Sequence, residues 1–210
     1  MNILGVSAAQ GALLFPFLHS KKYKILANIE PRGVFHTSCE SQWKLNFGDI
    51  PFYRGFCLQE FDEKVDIVVA SPDCGIASIM RLSKVKELGN PKDNRSLNLV
   101  TAAILEYKPK IFLIENLPRL LSLLPCEFFN LTFKDYKLIF HERSVSDYGN
   151  SQVSRKRLII IGVHKKTGKK YLNAFDEVFQ VKTPKLTRDL LFVSPYGSNY
   201  NLSLIHISEP

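Results

Sequence analysis

The feature that most restricts the fold of this chain is a repeated change of hydrophobic period. Short runs rich in β-branched residues alternate with longer segments of helical period. That order fits a mostly parallel, doubly wound α/β sheet, because parallel neighbours need a crossover segment between them. The β-type runs are NILGV (2–6), YKILANIE (23–30), DIVVA (66–70), KIFLIE (110–115), YKLIFHERSV (136–145) and RLIIIGV (157–163). Helices are expected over 9–20, 93–108 and 117–131. Asp93 or Asn94 caps the long middle helix, Leu97, Val100, Ile104 and Leu105 share its apolar face, and Lys108-Pro109 ends it. After residue 163 the chain turns more polar and less periodic, so 1–163 reads as one domain and 164–202 as an excursion or the start of a second unit.

With 45% hydrophobic and 23% charged residues, 210 residues suffice for one or two domains with a real core. The longest apolar runs fall far short of the roughly 20 residues that span a bilayer. No basic segment followed by an apolar stretch opens the chain. These features read as a soluble, unexported, cytoplasmic protein without a membrane partner. Cys39, Cys57, Cys74 and Cys126 show no C-x-x-C spacing and no paired histidine nearby, which argues against a metal site or a disulfide framework. Cys39, Cys57 and Cys126 read as small buried hydrophobes. The net charge of +8, concentrated in HSKKYK, SRKR and HKKTGKK, favours phosphate-rich partners, although lysine runs are most often solvated surface.

Ligands of open parallel sheets bind beyond the carboxyl ends of the strands. Four segments fall there: GVSAAQG (5–11), NIEP (28–31), ASPDCG (70–75) and IENLP (114–118). Cys74 stands in a Gly/Pro loop at a strand end and not on an apolar stripe, which favours a nucleophile over a core residue. Glu30 occupies the place where a doubly wound domain sets an acid on ribose hydroxyls. Ser7 and Ala8 are small enough for close approach of the backbone to a ligand, at a cost if φ is positive there. The absence of G-x-G-x-x-G disfavours a nicotinamide dehydrogenase. Asn116 and Pro118 also match a helix start.

Seven pieces in one order resemble the DNA (cytosine-5)-methyltransferase family: the first loop, the acid after the second strand, GDI (48–50), SPDCGIAS (71–78), DNRSLNL (93–99), ENLP (115–118) and DYGNSQVSRKRLIIIG (147–162). The resemblance implies a Rossmann-like S-adenosylmethionine-dependent domain over 1–163 with its last strand antiparallel. It also implies monomeric action on a cytosine flipped out of double-stranded DNA, in a bacterial or phage-infected cell. By the same resemblance Cys74 attacks C6 of cytosine, Glu115 with Asn116 beside it serves N3, and Arg155 and Arg157 form a pair that contacts the base and supports the site. Ser78 matches a serine kept in the nucleophile loop. Gly5, Ser7, Gly11, Glu30, Pro31, Asp49, Ile50 and Pro72 are the implied cofactor residues, with Asp49 against the adenine. Two alternatives stay open: an RNA (tRNA) cytosine-5 methyltransferase, and an inactive nucleic-acid-binding relative.

Three departures from the family pattern stand out. The first loop keeps only Gly5 and Gly11, Asp73 replaces the proline before the nucleophile, and Gln152 and Arg155 are spaced three apart where the family has two. A carboxylate beside Cys74 disfavours the thiolate unless it points away or is paired. TPKLTRDLL resembles the lead-in to a target-recognition region, and LSLIHISEP resembles translated adapter read-through, so 203–210 is set aside as a non-native tail. The natural protein is then expected to continue, and this chain alone to bind the cofactor weakly, with little turnover and only salt-sensitive, non-specific DNA binding.

Overall fold

The computed structural model describes residues 1–31, 36–74, 94–144 and 155–174. The chain divides into two compact units. One comprises Met1–Arg143 with Lys156–Gln180, and the other Ser144–Arg155 with Val181–Pro210, of which only Ser144 and Arg155 are among the described residues.

The first unit is built on a seven-stranded sheet of β1 (Asn2–Val6), β2 (Lys24–Glu30), β3 (Phe52–Arg54), β4 (Ile67–Ala70), β5 (Ile111–Asn116), β6 (Tyr136–Ser144) and β7 (Lys156–His164), in the order β3-β2-β1-β4-β5-β7-β6. The pairs β2/β3, β1/β2, β1/β4 and β4/β5 are parallel, and β5 pairs antiparallel with β7. The expected α/β class and antiparallel last strand are what the molecule shows.

Side chains alternate across the strands. Leu4, Val68 and Ile114 join Val100, Ile104 and Phe129 in one core layer. Ile3, Ile67 and Val69 face the other way, onto Leu14, Trp43 and Phe47. Both faces are therefore covered, as the near-continuous apolar strands require.

The helices include α1 (Phe15–Leu18), α2 (His36–Phe47), α3 (Arg95–Tyr107), α4 (Leu120–Leu123) and α5 (Cys126–Thr132). The helix expected over 9–20 shrinks to the single turn of α1, since Gly11 stands at φ +84° and Pro16 lies at the helix start. The helix expected over 117–131 splits at Pro125, which forces Leu124 into an extended conformation and caps α5. Asn94, not Asp93, caps α3, and its side chain accepts from Leu97 N at 3.1 Å. Leu105 is 47% exposed, and Leu99 and Ala103 take its expected place in the core. Cys39 is buried as expected, whereas Cys57 is exposed and Cys126 half-buried.

Two elements went unforeseen. β3 is only three residues long, and α2 carries few apolar residues. Of these, Cys39, Trp43 and Phe47 are buried, spaced by four along one stripe, while Leu45 is 85% exposed. Trp43 stacks on Phe47 with ring centroids 4.0 Å apart.

Truncation of Ile104 to alanine should cost about 2–4 kcal/mol, because its side chain is fully buried and a cavity would remain. Leu105→Ala should change stability by less than about 0.5 kcal/mol. Urea denaturation of both variants checks the register of α3.

Candidate active site at the strand ends

β4 and β5 run side by side with Ala70 opposite Ile114, so Ser71, the first residue past β4, comes level with Glu115 near the carboxyl end of β5. Ser71 Oγ donates to Glu115 Oε2 at 2.6 Å. From β7, which places Ile159 opposite Glu115, Arg157 sets its Nε 2.8 Å from Oε1. Each oxygen of the Glu115 carboxylate thus has its own donor. Three residues beyond Ser71, Cys74 is exposed.

The loop that carries Cys74 is pinned by side chains. Asn116 is buried, its Nδ2 donating to Pro72 O at 2.9 Å and its Oδ1 accepting from Leu117 N at 2.8 Å. It therefore ties two strand ends instead of capping a helix; α4 starts at Arg119 with no side-chain cap. Asn94 Nδ2 donates to Asp73 O at 3.0 Å, and Asp73 N donates to Ser96 Oγ at 3.2 Å. Ser96 Oγ in turn donates to Ser7 Oγ at 2.9 Å, which joins the Cys74 loop to the loop after β1. Both serines are buried.

That first loop bends without the glycines usual at such bends. Ser7 and Ala9 stand at φ 52° and 49°, a left-handed conformation that costs a residue with a Cβ about 1–2 kcal/mol. Gly5 and Gly11 serve packing as well. A Cβ on Gly5 would come within 2.7 Å of Leu14 Cδ1, and one on Gly11 would strike the Phe47 ring. Glu30 closes β2, where its Oε2 accepts from Ala9 N at 2.9 Å, and Asn28 Nδ2 donates to Ala9 O at 3.2 Å. Pro31 and Pro72 are buried beside these loops. Burial pushes the Glu30 carboxyl up to about 7, against the hydrogen bonds from Ala9 and Asn28 that favour its charge. Among the described residues no cation pairs with it. A pair of sugar hydroxyls would supply the missing donors, so the arrangement fits the ribose of a nucleoside cofactor.

Asp49 and Ile50 lie elsewhere. They precede β3, whose Phe52 pairs with Asn28, and they line a cavity of about 570 Å³ with Lys24 and Ile25 at the amino end of β2. Trp43 Nε1 holds Ile50 O there at 2.7 Å. The residues that leave the carboxyl end of β3 are Gly55 and Phe56. Ser78 and Gln152 lie outside the described residues, and Arg155, which is exposed, belongs to the second unit.

The charge is placed differently from what the composition suggested. The lysines of 19–24 enter β2 from its amino end. Those of 164–170 leave β7 where His164 N meets Lys110 O, at the sheet edge opposite Cys74. Among the described residues no helix is long and apolar enough to cross a membrane, and no group of three or more His, Cys, Asp or Glu side chains could hold a metal ion. Reading the sequence missed Ser71, Asn94 as a loop anchor, and Ser96. The available signal was a hydroxyl directly after a strand and another directly inside a helix start.

The Glu30 carboxyl titrates near 7 when folded and near 4.5 when exposed, so the folded state binds more protons between these values and stability falls as pH rises through them. Glu30→Gln should remove that slope, leaving the variant more stable than the parent by about 2–3 kcal/mol at pH 8 relative to pH 4. Urea titrations across this range test the point.

The model for the C-5 cytosine-specific DNA methylase family matches residues 13–205. The Type II methyltransferase M1.HgaI of Avibacterium volantium is 30% identical over 181 residues, which cover 76% of this chain and 49% of that protein. The Type II methyltransferase M.Bpa9945I of Bacillus paralicheniformis is 26% identical over 141 residues, which cover 60% of this chain and 32% of the relative. The chain thus spans about a third to a half of the length of these relatives. In fold it is similar to a protein described as a DNA modification methyltransferase encoded within an E. coli prophage, with a TM-score of 0.64 at 20% identity over 88% of this chain and 52% of the other. With most of its length matched by one family model, and with that family's fold, the chain belongs to the C-5 cytosine-specific DNA methylases.

Proposed function

We propose that the protein transfers a methyl group from S-adenosylmethionine to C5 of a cytosine turned out of double-stranded DNA, with Cys74 bound to the base during the reaction. The observation that carries this reading is the Glu115 carboxylate, held at 2.8 Å by Arg157 and at 2.6 Å by Ser71, one strand away from the loop that exposes Cys74.

C5 of cytosine is a poor nucleophile. Addition of Cys74, as its thiolate, to C6 forms an S–C6 bond and drives an electron pair through the ring towards N3. A proton shared or donated by Glu115 at N3 stabilises that charge, and the carbon at C5 becomes enamine-like. Arg157 and Ser71 keep the carboxyl from rotating away, which makes them positioning residues, while Asn116 fixes the loop through Pro72 O. When bound, S-adenosylmethionine supplies the electrophilic methyl group on its sulfonium sulfur; Glu30, Ser7 and the backbone of residues 8–11 are the groups that would hold it. Once C5 carries the methyl group, loss of the C5 proton to water, return of the N3 proton to Glu115 and expulsion of the Cys74 thiolate restore the ring.

DNA containing 5-fluorocytosine tests the reading, because fluorine at C5 cannot leave as a proton and elimination stalls with the thiol attached. The whole protein should form a covalent adduct that requires S-adenosylmethionine, with the modification on the Cys74 peptide, and Cys74→Ser should form none. Glu115→Gln should slow methyl transfer by about a hundredfold or more. An adduct that persists in Cys74→Ser, or one that forms on a tRNA transcript and not on DNA, contradicts the proposal.

A further inference from the structure

A nucleoside bound through Glu30 is constrained in direction. β2 lies between β1 and β3, and Glu30 is its last residue. A ribose seated on Glu30 with its sulfur-bearing arm towards the loop after β1 must direct its base the other way, over the end of β3. There Gly55 N donates to Glu30 O at 2.9 Å, so the pairing of β2 with β3 runs one bond past Arg54, and Phe56 is the next residue at that end of the sheet.

Phe56 is 42% exposed, and the Arg95 guanidinium lies 5.8 Å from its ring centroid. Arg95 opens α3 and adjoins Ser96, which holds Ser7. The pair therefore links the start of α3 to the residues that follow β3, the strand beside the one Glu30 closes. One side of the ring carries the cation, an attraction of the usual cation–π kind, and the rest is open to solvent. An open aromatic face at this place suits a flat, electron-poor heterocycle, and base-on-aromatic stacking is worth about 1–3 kcal/mol. Asp49, the acid that the sequence motif put against the base, sits at the amino end of the same strands and does not reach this edge.

We infer that Phe56, backed by Arg95, is the surface on which the purine base of the cofactor stacks, in the place the motif assigns to Asp49. This rests on the cofactor reading above.

Calorimetric titration with S-adenosylhomocysteine tests it. Phe56→Ala should weaken binding about tenfold, Phe56→Trp should stay within about threefold of the parent, and Asp49→Asn should leave affinity unchanged. In Phe56→Trp the added indole is exposed, unlike the buried Trp43, and its emission should be quenched as the site fills. That quenching would not follow from a merely structural role. If the parent binds, Glu30→Ala abolishes binding and Phe56→Ala binds like the parent, the inference is overturned while the cofactor reading stands. A tenfold loss in Asp49→Asn with none in Phe56→Ala also overturns it. Failure of the unaltered protein to bind overturns both.

Discussion

The site depends on a series of hydrogen bonds from side chains at the carboxyl edge of the sheet, of which Ser96 to Ser7 and Asn116 to Pro72 O are buried. Ser96 accepts from the backbone of Asp73 and donates to Ser7, Asn94 holds Asp73 O, and Asn116 holds Pro72 O. Each bond alone contributes on the order of 1 kcal/mol, but a buried polar group left without its partner costs more than that. The loop after β1, the start of α3 and the loop after β4 therefore share one arrangement: displacing any of them strands a donor or acceptor in the interior. This is how a short exposed loop can present Cys74 three residues beyond Ser71, the partner of Glu115.

The same edge contains groups that the rest of the fold must compensate. Ser7 and Ala9 hold left-handed backbone, and Glu30 is a half-buried acid without a cation among the described residues. Strain of a kilocalorie or two at such positions persists only where surrounding contacts fix it. Here the fixing contacts are visible in Asn28, which meets Ala8 N through Oδ1 at 3.4 Å and Ala9 O through Nδ2 at 3.2 Å, and in Leu14 and Phe47 packed under the glycines. A ligand offering hydroxyl donors to Glu30 would satisfy the acid without changing the loop.

Much of this architecture was legible in the sequence, because the apolar strands have nothing else to do but pair and bury both faces. The order of period changes led to the doubly wound sheet, the loops at strand ends singled out Cys74 and Glu30, and the role expected of Glu115 came from the resemblance to the methyltransferase motifs. What escaped did so for physical reasons. α2 buries only a narrow stripe spaced by four, too sparse for a periodicity count. β3 is too short for one. The GDI letters at 48–50 match a family motif, yet the helix before them ends so close to β3 that they fall at the amino end of the sheet, with Gly55 and Phe56 at the other. The basic composition pointed to nucleic acid, but two of its three lysine-bearing stretches lie at the edge opposite Cys74. Letters fix neighbours along the chain; only the register between strands decides which end of the sheet they occupy.

In the proposed mechanism Cys74 and Glu115 together add a thiol across the C5–C6 bond of cytosine, and this step can be separated from methyl transfer. With DNA and no cofactor, reversible addition at C6 makes the C5 hydrogen exchangeable, so mass spectrometry of the DNA after incubation in deuterated water reads the addition step alone. Deuterium should appear at C5 of the target cytosine with the whole protein and not with Cys74→Ser, and exchange should be strongly slowed when either Glu115→Gln or Arg157→Ala is introduced. Exchange that persists in Cys74→Ser at the parental rate would contradict the mechanism.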